Sequence, residues 1–468
     1  MRKLSLIVAV LAVASLSAQG PREPDWASLE AETLRHFQAL LRVDTTDPPG
    51  GEKPAVDYLR QVLEAEGIPT ETFALEDHRP NLVARLKGSG PGRPLLIMAH
   101  TDTVNVDPKK WTFPPFSATR DGGYVYGRGA VDDKDNVVAA LMTMLTLKRL
   151  DVPLARDVVF LAEAGEEGSV RYGIKYMVDE HFPAIDAEFC FAEGGGVRRQ
   201  GGEVRFASVQ TLEKIPRAIE LTARGPAGHG SVPLRTNAVL HLSQAIAKVG
   251  AWQPPINLNE TTAAYFKRLA SISSEADAKR YRDILSPDAA VSGPAMEHFL
   301  ENEPQHASML HTSISPTMID AGYRVNVIPS EVKATLDVRM MPDESPDAFL
   351  ARVKQVIGDP NVEVAWAARD VRPNGTSRLA TDAFRVIEQM VETHYDAITL
   401  PTMSTGATDM AYLRAKGVQC YGVGPAIDIE DGPKGFGAHS DQERILESEL
   451  QRFVRFHYDI VAGVAAVH

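Results

Sequence analysis

The spacing of apolar residues along the chain predicts helices that alternate with short buried strands. The segments from Trp26 to Val43 and from Pro54 to Glu66 have the period of an amphipathic helix, and Gly67 ends the second one. Apolar runs predict buried strands at 95–99, 158–162 and 189–192, and helical periods lie at 136–150 and 173–181. This order predicts an α/β fold with a mostly parallel sheet and helices on both of its faces.

The pattern changes between residues 213 and 370. Apolar and polar residues alternate there as in strands with one exposed face, and two helical segments lie among them. The predicted strands are 215–223, 313–321, 331–340 and 362–366, and the predicted helices are 236–249, ended by Gly250, and 347–357. We therefore expect a smaller α+β domain at 213–370, inserted into a first domain made of residues 21–212 and 371–468. Residues 254–311 have polar, helix-like stretches that this pattern does not place.

The first 20 residues have the composition of a secretory signal peptide. A short basic head, Met1 to Lys3, precedes an apolar run of 13 residues, Leu4 to Leu16, and small residues follow. The run is short for a transmembrane helix, although an uncleaved anchor is the alternative. We predict a periplasmic or secreted protein. Cys190 and Cys420 both lie in apolar runs, so buried free thiols are predicted rather than a disulfide.

Length and charge narrow the class of protein. The chain has 468 residues, more than one compact core usually contains, so two domains are expected. The net charge is −13, from 49 basic and 62 acidic residues. Because no basic excess offsets phosphate repulsion, this argues against nucleic acid as a partner and against insertion into an anionic membrane once the leader is removed.

Five short segments each contain a residue that can bind a metal ion. They are His100 in MAHTD, Asp132 in GRGAVDDKDN, Glu167 in AEAGEEGS, Glu193 in CFAEGGG and His439 in GAHSD. Two imidazoles and three carboxylates suit zinc and related divalent ions. Five ligands exceed the need of one tetrahedral site, so the set predicts two metals that share a carboxylate and activate water for hydrolysis. Three of the five follow predicted strands, where open α/β sheets bind ligands.

Neighbouring acidic residues add to this prediction. Asp102 lies two residues after His100, so in extended backbone it can orient the imidazole. Glu166 adjoins Glu167, and a fold that holds two carboxylates together usually gives them different partners, here a metal and a proton. Each feature alone is common in loops, and their joint order favours a metal site. The local pattern also predicts Asp135 or Asn136 as a helix N-cap and a helix that begins at His439.

The ordered set of segments resembles the M20 family of metallopeptidases and amidohydrolases. The matching segments are LLIMAHTDTV, GRGAVDDKDNVVA, AEAGEEGS, GHGSVP and AHSDQE. Relatives in that family include glutamate carboxypeptidase, succinyl-diaminopimelate desuccinylase, aminoacylase and carboxypeptidase S. The resemblance implies a zinc exopeptidase-like fold, in which the domain at 213–370 acts as a lid or dimerisation domain of a possible homodimer.

The resemblance also implies a role for each matched residue. Asp132 bridges two Zn²⁺ ions, or Co²⁺ or Mn²⁺ in their place, and a cis peptide bond follows it. His100 and Glu193 are the further ligands of one ion, and Glu167 and His439 are the further ligands of the other. The remaining implied roles are general base and later proton donor for Glu166, orientation of His100 for Asp102, oxyanion stabilisation for His229, substrate carboxylate binding for Asn326 and Arg339, and pocket lining for Gly406 and Thr408.

The predicted function is a di-zinc hydrolase that cleaves an amide or peptide bond next to a free carboxylate. A carboxypeptidase or dipeptidase acting on short peptides is the first interpretation. An N-acyl amino-acid amidohydrolase is the alternative, because both substrates place an amide beside a carboxylate, and residues 254–311 could favour a bulky acyl group. A non-catalytic periplasmic binding protein is a third possibility, but it would need neither metal nor the Glu166–Glu167 pair.

Overall fold

The computed structural model describes residues 23–369 and 371–467. The helices are α1 (Trp26–Leu41), α2 (Lys53–Ala65), α3 (Lys134–Arg149), α4 (Ile174–Glu180), α5 (Phe182–Ile185), α6 (Ala238–Ala251), α7 (Glu260–Leu269), α8 (Glu275–Asp283), α9 (Ala289–Asn302), α10 (Pro304–Ser308), α11 (Pro346–Ile357), α12 (Asp382–Tyr395), α13 (Met410–Ala415) and α14 (Glu447–Ala465).

The strands are β1 (Thr70–Ala74), β2 (Pro80–Leu86), β3 (Gly92–His100), β4 (Thr119–Asp121), β5 (Tyr124–Tyr126), β6 (Arg156–Glu163), β7 (Phe189–Ala192), β8 (Gly196–Gln200), β9 (Glu203–Glu213), β10 (Ile215–Arg224), β11 (Gly228–His229), β12 (Ser313–Asp320), β13 (Val327–Ile328), β14 (Glu331–Met340), β15 (Val362–Trp366), β16 (Thr399–Ser404), β17 (Gln419–Gly422), β18 (Ala426–Asp428) and β19 (Arg444–Leu446).

The main sheet has ten strands in the order β1-β2-β6-β3-β7-β17-β9-β8-β18, and β16 pairs with β9 outside this path. The pairs β6–β3, β3–β7, β7–β17, β9–β16 and β8–β18 are parallel, so the predicted largely parallel sheet is confirmed. Antiparallel strands β1 and β2 extend one edge. Cys190 and Cys420 are buried free thiols on the neighbouring strands β7 and β17, as predicted.

Helices cover both faces of the main sheet, as predicted. On one face α1, α2, α3, α12 and α14 bury a large apolar core with residues such as Phe37, Leu141 and Phe453. On the other face α4 and α13 bury Met177 and Leu413 against β3, β6 and β7. Because the central strands are buried on both sides, they are continuously apolar in sequence. Among the described residues, no helix combines the length and apolar character needed to cross a bilayer.

The inserted domain is built on an antiparallel sheet in the order β12-β14-β10-β15. Helices α6 and α11 cover one face, where Leu242 and Phe349 pack against Leu221 and Leu336. Strand β14 alternates buried and half-buried residues along its length, which is the pattern of a strand with one covered face. The strands predicted at 215–223, 313–321, 331–340 and 362–366 correspond to β10, β12, β14 and β15, and the helices predicted at 236–249 and 347–357 correspond to α6 and α11.

Residues 254–311, which the sequence pattern did not place, form helices α7 to α10. These helices pack on the main sheet rather than on the inserted sheet: Phe266 and Phe299 share a core with Leu212 of β9 and with Leu400 and Met403 of β16. The two phenylalanine rings stack with centroids 5.6 Å apart. The segment therefore forms a helical wall beside the carboxyl ends of these strands.

Three local predictions are wrong. Helix α6 continues through Gly250 to Ala251 and ends before Trp252, whose ring packs on Phe349. The N-cap of α3 is Asp133 rather than Asp135 or Asn136, and its carboxylate accepts hydrogen bonds from the His100 N–H and the Asn136 side chain instead of capping the helix. No helix begins at His439, which has a left-handed φ of 61° in a turn that leads to β19. The predicted leader at 1–20 lies outside the described residues.

Candidate metal centre

The centre lies where neighbouring parallel strands end. His100 is the last residue of β3, and Glu193 directly follows β7. The loop after β6 contains Glu166 and Glu167, and β6 and β7 flank β3 in the sheet. The carboxyl ends of adjacent parallel strands meet at one edge, so residues distant in sequence converge there.

The loop that carries Asp132 is held by a buried glutamate from the far end of the chain. Glu443 accepts hydrogen bonds from Arg128 Nη1 at 2.6 Å, from the Gly129 N–H at 3.1 Å and from the Val131 N–H at 2.8 Å. Because Glu443 lies four residues after His439, these contacts also fix the turn that presents His439. The Asp132–Asp133 peptide bond is cis, as the resemblance implied.

Asp132 lies between the two imidazoles. Its Oδ1 is 3.1 Å from His100 Nε2, and its Oδ2 is 3.1 Å from His439 Nε2. His439 Nε2 is also 2.9 Å from Glu167 Oε1. Each oxygen of Asp132 thus faces a different histidine, which is the arrangement that a bridging ligand requires.

Asp132 and His439 each stabilise the charged form of the other. Hydrogen bonds with Asp132 and with Glu167 raise the pKa of His439 to about 10. Burial opposes ionisation of Asp132, but hydrogen bonds from His100 and His439 outweigh it and hold its pKa below the usual range. Asp132 is therefore held as a carboxylate between the two imidazoles.

The donor set fits divalent metal ions. Ligand atoms of His100, Asp132 and Glu167 lie within 4.8 Å of one another, and so do those of His100, Glu166 and Glu193. Burial, and then the neighbouring Asp409, raises the pKa of Glu166 to about 8. Burial and the nearby Glu166 raise the pKa of Glu193 well above its usual value. Buried carboxylates that cannot all ionise at once indicate a site completed by positive charge.

Asp102 contributes more through the Glu166–Glu167 turn than through His100. Its backbone carbonyl accepts from His100 Nδ1 at 3.1 Å, whereas its carboxylate is 3.5 Å from that nitrogen. The carboxylate accepts the backbone N–H groups of Glu166 at 3.2 Å and Glu167 at 2.9 Å. Gly165, with a left-handed φ of 74°, begins this turn, and a Cβ there would lie 2.5 Å from the Ser169 carbonyl oxygen.

Sequence reasoning missed Arg372. Its Nη2 is 3.2 Å from Glu166 Oε1, and its Nη1 is 2.8 Å from Asp409 Oδ1. Asp409 is 1% exposed, so Arg372 bridges two buried carboxylates. The residue is separated from Glu166 by 206 positions and lies in a loop without periodic pattern, so no local signal could have identified it.

The predicted substrate residues of the inserted domain have local hydrogen-bond partners. His229 is exposed, and its Nδ1 is 2.7 Å from Ser231 Oγ. Asn326 is also exposed and accepts the Gly230 N–H through its carbonyl oxygen at 2.9 Å. Arg339 Nε is 2.9 Å from Asp337 Oδ2. Among the described residues, no hydrogen bond joins these three side chains to the five predicted metal ligands.

The loop that contains Gly406 and Thr408 is held by hydrogen bonds to Glu213. Thr408 is buried, its hydroxyl donates to Glu213 Oε2 at 2.6 Å, and its N–H donates to Glu213 Oε1 at 3.0 Å. Arg414 neutralises Glu213 at 3.0 Å. The Gly406 N–H donates to Ser404 Oγ at 3.1 Å. Thr408 therefore holds the loop in place through Glu213.

A cavity of about 680 Å³ opens beside Asp132 and Glu193. The helical wall of residues 254–311 contributes Tyr265, His306 and Met309 to its lining. Other apolar lining residues are Phe206, Met403, Ile427, Phe436, Ile445 and Leu446. The candidate centre thus adjoins a cavity with both apolar and polar walls that is large enough for a small-molecule substrate.

Comparison with known proteins agrees with this geometry. The model of peptidase family M20/M25/M40 matches residues 96–463. Human N-fatty-acyl-amino acid synthase/hydrolase PM20D1 is 26% identical over 389 residues, which cover 80% of this chain and 75% of that protein. A succinyl-diaminopimelate desuccinylase of Staphylococcus aureus is 26% identical over 388 residues, which cover 81% of this chain and 85% of that protein. Carboxypeptidase S-like 2 of Dictyostelium discoideum is 26% identical over 378 residues, which cover 79% of this chain and 71% of that protein.

Solved structures share the fold. The M20 family metallo-carboxypeptidase Sso-CP2 of Sulfolobus solfataricus aligns with a TM-score of 0.68 at 19% identity, over 92% of this chain and 98% of that one. Human carnosine dipeptidase 1 aligns with a TM-score of 0.64 at 14% identity, over 94% of this chain and 97% of that one. Since the family model spans most of the chain, from before His100 to beyond His439, the chain belongs to peptidase family M20/M25/M40.

Proposed function

We propose that this hydrolase is a two-zinc amidohydrolase that releases an amino acid from an N-acyl amino acid. The observation that carries this proposal is the chemistry of the cavity next to Asp132 and Glu193. Its lining includes apolar residues such as Phe206, Met309 and Ile427 beside the polar ones, so an acyl chain finds apolar contacts next to the centre. An acyl chain needs only apolar contacts there, whereas the α-ammonium group of a dipeptide would need a charged partner once it leaves water.

The carboxylates around the cavity are already engaged. Asp428 pairs with Arg199 at 3.4 Å, and Asp431 pairs with Arg444 at 2.7 Å. The other two carboxylates that line it are Asp132 and Glu193, which belong to the candidate metal centre. These ion pairs leave the carboxylates of the described lining less available to an ammonium group, which supports the acyl class over the peptide class.

The names of the relatives support both substrate classes, with a balance toward acyl amino acids. The human relative is named as a synthase and hydrolase of N-fatty-acyl amino acids, and the Staphylococcus relative as a desuccinylase. The Dictyostelium relative is named as carboxypeptidase S-like, so cleavage of short peptides is the second candidate. Met309 and the ring of Tyr265, which residues 254–311 contribute to the cavity, add apolar contacts that favour the first class.

In the proposed mechanism, His100, Asp132 and Glu193 would hold one metal, and His439, Glu167 and Asp132 would hold the other. When bound, two divalent ions lower the pKa of water and polarise the substrate carbonyl. Asp132 faces both histidines and can serve both ions. The deprotonated carboxylates of the centre balance most of the positive charge.

Glu166 transfers the protons in this mechanism. Its carboxylate accepts a proton from the attacking water as the new carbon–oxygen bond forms. The same carboxyl then donates that proton to the amide nitrogen as the carbon–nitrogen bond breaks, which gives a fatty acid and an amino acid. Arg372, 3.2 Å from Glu166, keeps the carboxylate oriented, and the backbone N–H bonds to Asp102 fix its turn.

His229 is proposed to act at the oxyanion from a second subunit. Its exposed position, with Ser231 as its side-chain hydrogen-bond partner, is compatible with donation across a dimer interface. We also propose export to the periplasm or the cell exterior, on the composition of residues 1–20.

The test is a panel of substrates that share one leaving amino acid. N-acyl leucines with short to long saturated chains are compared with dipeptides that end in leucine, using enzyme reconstituted with zinc. We expect kcat/KM to rise with chain length and to exceed the dipeptide values by roughly tenfold or more. Glu166→Gln is the inactive control. Preference for dipeptides over every acyl chain would contradict the acyl assignment and favour the peptidase interpretation.

A further inference from the structure

A second group of buried carboxylates lies next to residues 165–168, the turn that carries two adjacent glutamates and that we call the glutamate turn. Asp47, Glu52 and Asp102 have carboxylate oxygens within 4.8 Å of one another, and none of the three is more than 5% exposed. Carboxylates that are buried this close together need a positive charge, because each of them loses the stabilisation that water gave it. An arginine supplies that charge.

Arg79 is the cation of this group. Its Nη2 is 2.5 Å from Asp47 Oδ2, and its Nε is 3.0 Å from Glu52 Oε2. The guanidinium carbon lies 4.3 Å from the centre of the Tyr172 ring. Burial opposes the charge of Arg79, but hydrogen bonds with Glu52 and Asp47 outweigh it and raise its pKa above the usual range. The guanidinium is therefore fixed between two carboxylates and one aromatic face.

Two glycines let the glutamate turn approach this group closely. A Cβ at Gly168 would lie 2.2 Å from Asp47 Cγ, and a Cβ at Gly165 would lie 3.2 Å from Arg79 Nη2. Because neither position has a side chain, the Asp47 carboxylate and the Arg79 guanidinium come near the backbone at the two ends of the turn. The placement of the turn thus depends on where these two side chains lie.

The backbone around Asp47 is tied to the segment that contains Asp102. The Asp47 N–H donates to the Thr103 carbonyl oxygen at 2.8 Å, and the Thr103 N–H donates to the Thr45 carbonyl oxygen at 3.1 Å. The Asp102 carboxylate accepts the N–H groups of both glutamates of the turn. The turn is therefore held by Asp102 and approached by Asp47, and these two residues are fixed relative to each other.

We propose that Asp47, oriented by Arg79, is a positioning residue for the glutamate turn. It keeps Glu167 where it would bind metal and Glu166 where it would transfer protons. This inference rests on the proposed function, since it concerns how the same centre is held. Loss of an outer partner of a metal ligand typically lowers metal affinity or activity by about 10- to 100-fold.

Zinc affinity without any substrate is the first measurement. Asp47→Asn keeps the size of the side chain, and Arg79 keeps its ion pair with Glu52. Competition with a chromophoric chelator should show zinc binding that is roughly 10- to 100-fold weaker than in the wild type. Asp157→Asn is the matched control, because it removes a carboxylate paired with Arg85 at the opposite end of β6. Its zinc affinity should stay within about twofold of the wild type.

Steady-state kinetics with N-octanoyl-leucine separates positioning from substrate binding. At saturating zinc, Asp47→Asn should lower kcat by roughly 10- to 100-fold, because the turn no longer places its glutamates correctly. KM should stay within about threefold, because Asp47 is not part of the cavity lining. A rise in KM with unchanged kcat would contradict the positioning role.

A double-mutant cycle tests the contact between Asp47 and the turn. Gly168→Ala retains every ion pair of Arg79 but places a methyl group against the Asp47 carboxylate, so it should weaken zinc binding by roughly tenfold or more. In the Asp47→Ala background the same alanine loses the atoms that it would meet first, and its further effect should be less than about threefold. This cycle holds the proposal to a test even if Asp47→Asn does not fold. Additive effects of the two substitutions would contradict the contact.

Two further results would overturn the proposal. One is wild-type zinc affinity together with wild-type kcat in folded Asp47→Asn. The other is a lower unfolding temperature of the metal-free protein with zinc affinity unchanged, which would assign Asp47 to stability alone. Failure of the proposed function would differ from both: if the wild-type protein binds zinc but hydrolyses no N-acyl amino acid, only the amidase proposal is contradicted, and the loss of zinc affinity in Asp47→Asn still supports the positioning role.

Discussion

At the scale of single residues, the most specific prediction concerns the role of Glu166 in proton transfer. Its carboxylate lies beside the candidate metal centre but is proposed to carry protons rather than to bind metal. Glu166→Gln keeps size and polarity but removes the proton-accepting charge, so kcat should fall by about 10²- to 10⁴-fold. Metal content, measured by mass spectrometry of the purified protein, should stay at the wild-type value. Near wild-type turnover in this variant would contradict the role.

Arg372 should tune Glu166 without being essential. Its positive charge lowers the pKa of Glu166, so Arg372→Gln should raise that pKa and move the acid limb of the kcat/KM profile to higher pH. The base must be deprotonated to act, hence activity at the acid end should drop while the plateau changes less. The exposed Arg369→Gln is the matched control. An unchanged acid limb would show that Arg372 acts on structure alone.

At the scale of elements, apolar runs predicted the strands well. The predicted bounds of β7, β14 and β15 agree with the structure because each strand has a burial pattern that its own sequence repeats. The turn at His439 could not be predicted in this way. It is fixed by Glu443, which binds the loop 128–131 more than 300 positions away. Such long-range hydrogen bonds leave no periodic trace in the sequence.

The contact between α3 and α14 predicts an acid-sensitive fold. His457 of α14 is 3% exposed, its Nδ1 is 2.8 Å from Thr143 Oγ1, and burial lowers its pKa to about 3. An unfolded histidine titrates near about 6.5, so below that pH the unfolded chain binds a proton that the folded one does not. Stability is complete above pH 6.5 and falls by up to about 1.4 kcal/mol per unit as the pH drops toward 3.

His457→Gln should remove this contribution. Urea unfolding at pH 7 and pH 5 should show that the wild-type protein loses about 2 kcal/mol more than the variant between the two values. Other buried groups, such as His311, are present in both proteins and cancel in the comparison. Equal losses in both proteins would mean that His457 is not buried as a neutral residue.

At the scale of the whole molecule, the five predicted metal ligands could be identified from the sequence. The residues that hold those ligands in place could not. His100, Asp132, Glu167, Glu193 and His439 each stand in a distinctive short segment, and the structure brings them together at one sheet edge. Arg372 is an ordinary arginine in sequence. Its role depends on the carboxylates of Glu166 and Asp409 beside it, and the packing of loops and helices brings these groups together.

The inserted domain predicts a homodimer. Strand β12 is an edge strand, and Met318 and Ile319 near its end are 67% and 62% exposed. An exposed apolar edge strand is a template for pairing with another chain, here a second copy. The double variant Met318→Asp/Ile319→Asp should be monomeric by light scattering and should lose most activity, because His229 would no longer reach a second site. Leu75→Asp in the main domain is the control, and an unchanged mass would contradict the interface.

The most direct test of the account is the metal content of the protein measured together with its activity. Zinc-reconstituted wild-type protein should contain about two ions per chain, and chelation should abolish hydrolysis until zinc is restored. Asp132→Asn should contain fewer than one ion and be inactive, whereas the exposed Asp121→Asn should match the wild type. Full activity after complete removal of metal, or two ions retained in Asp132→Asn, would contradict a two-metal centre bridged by Asp132.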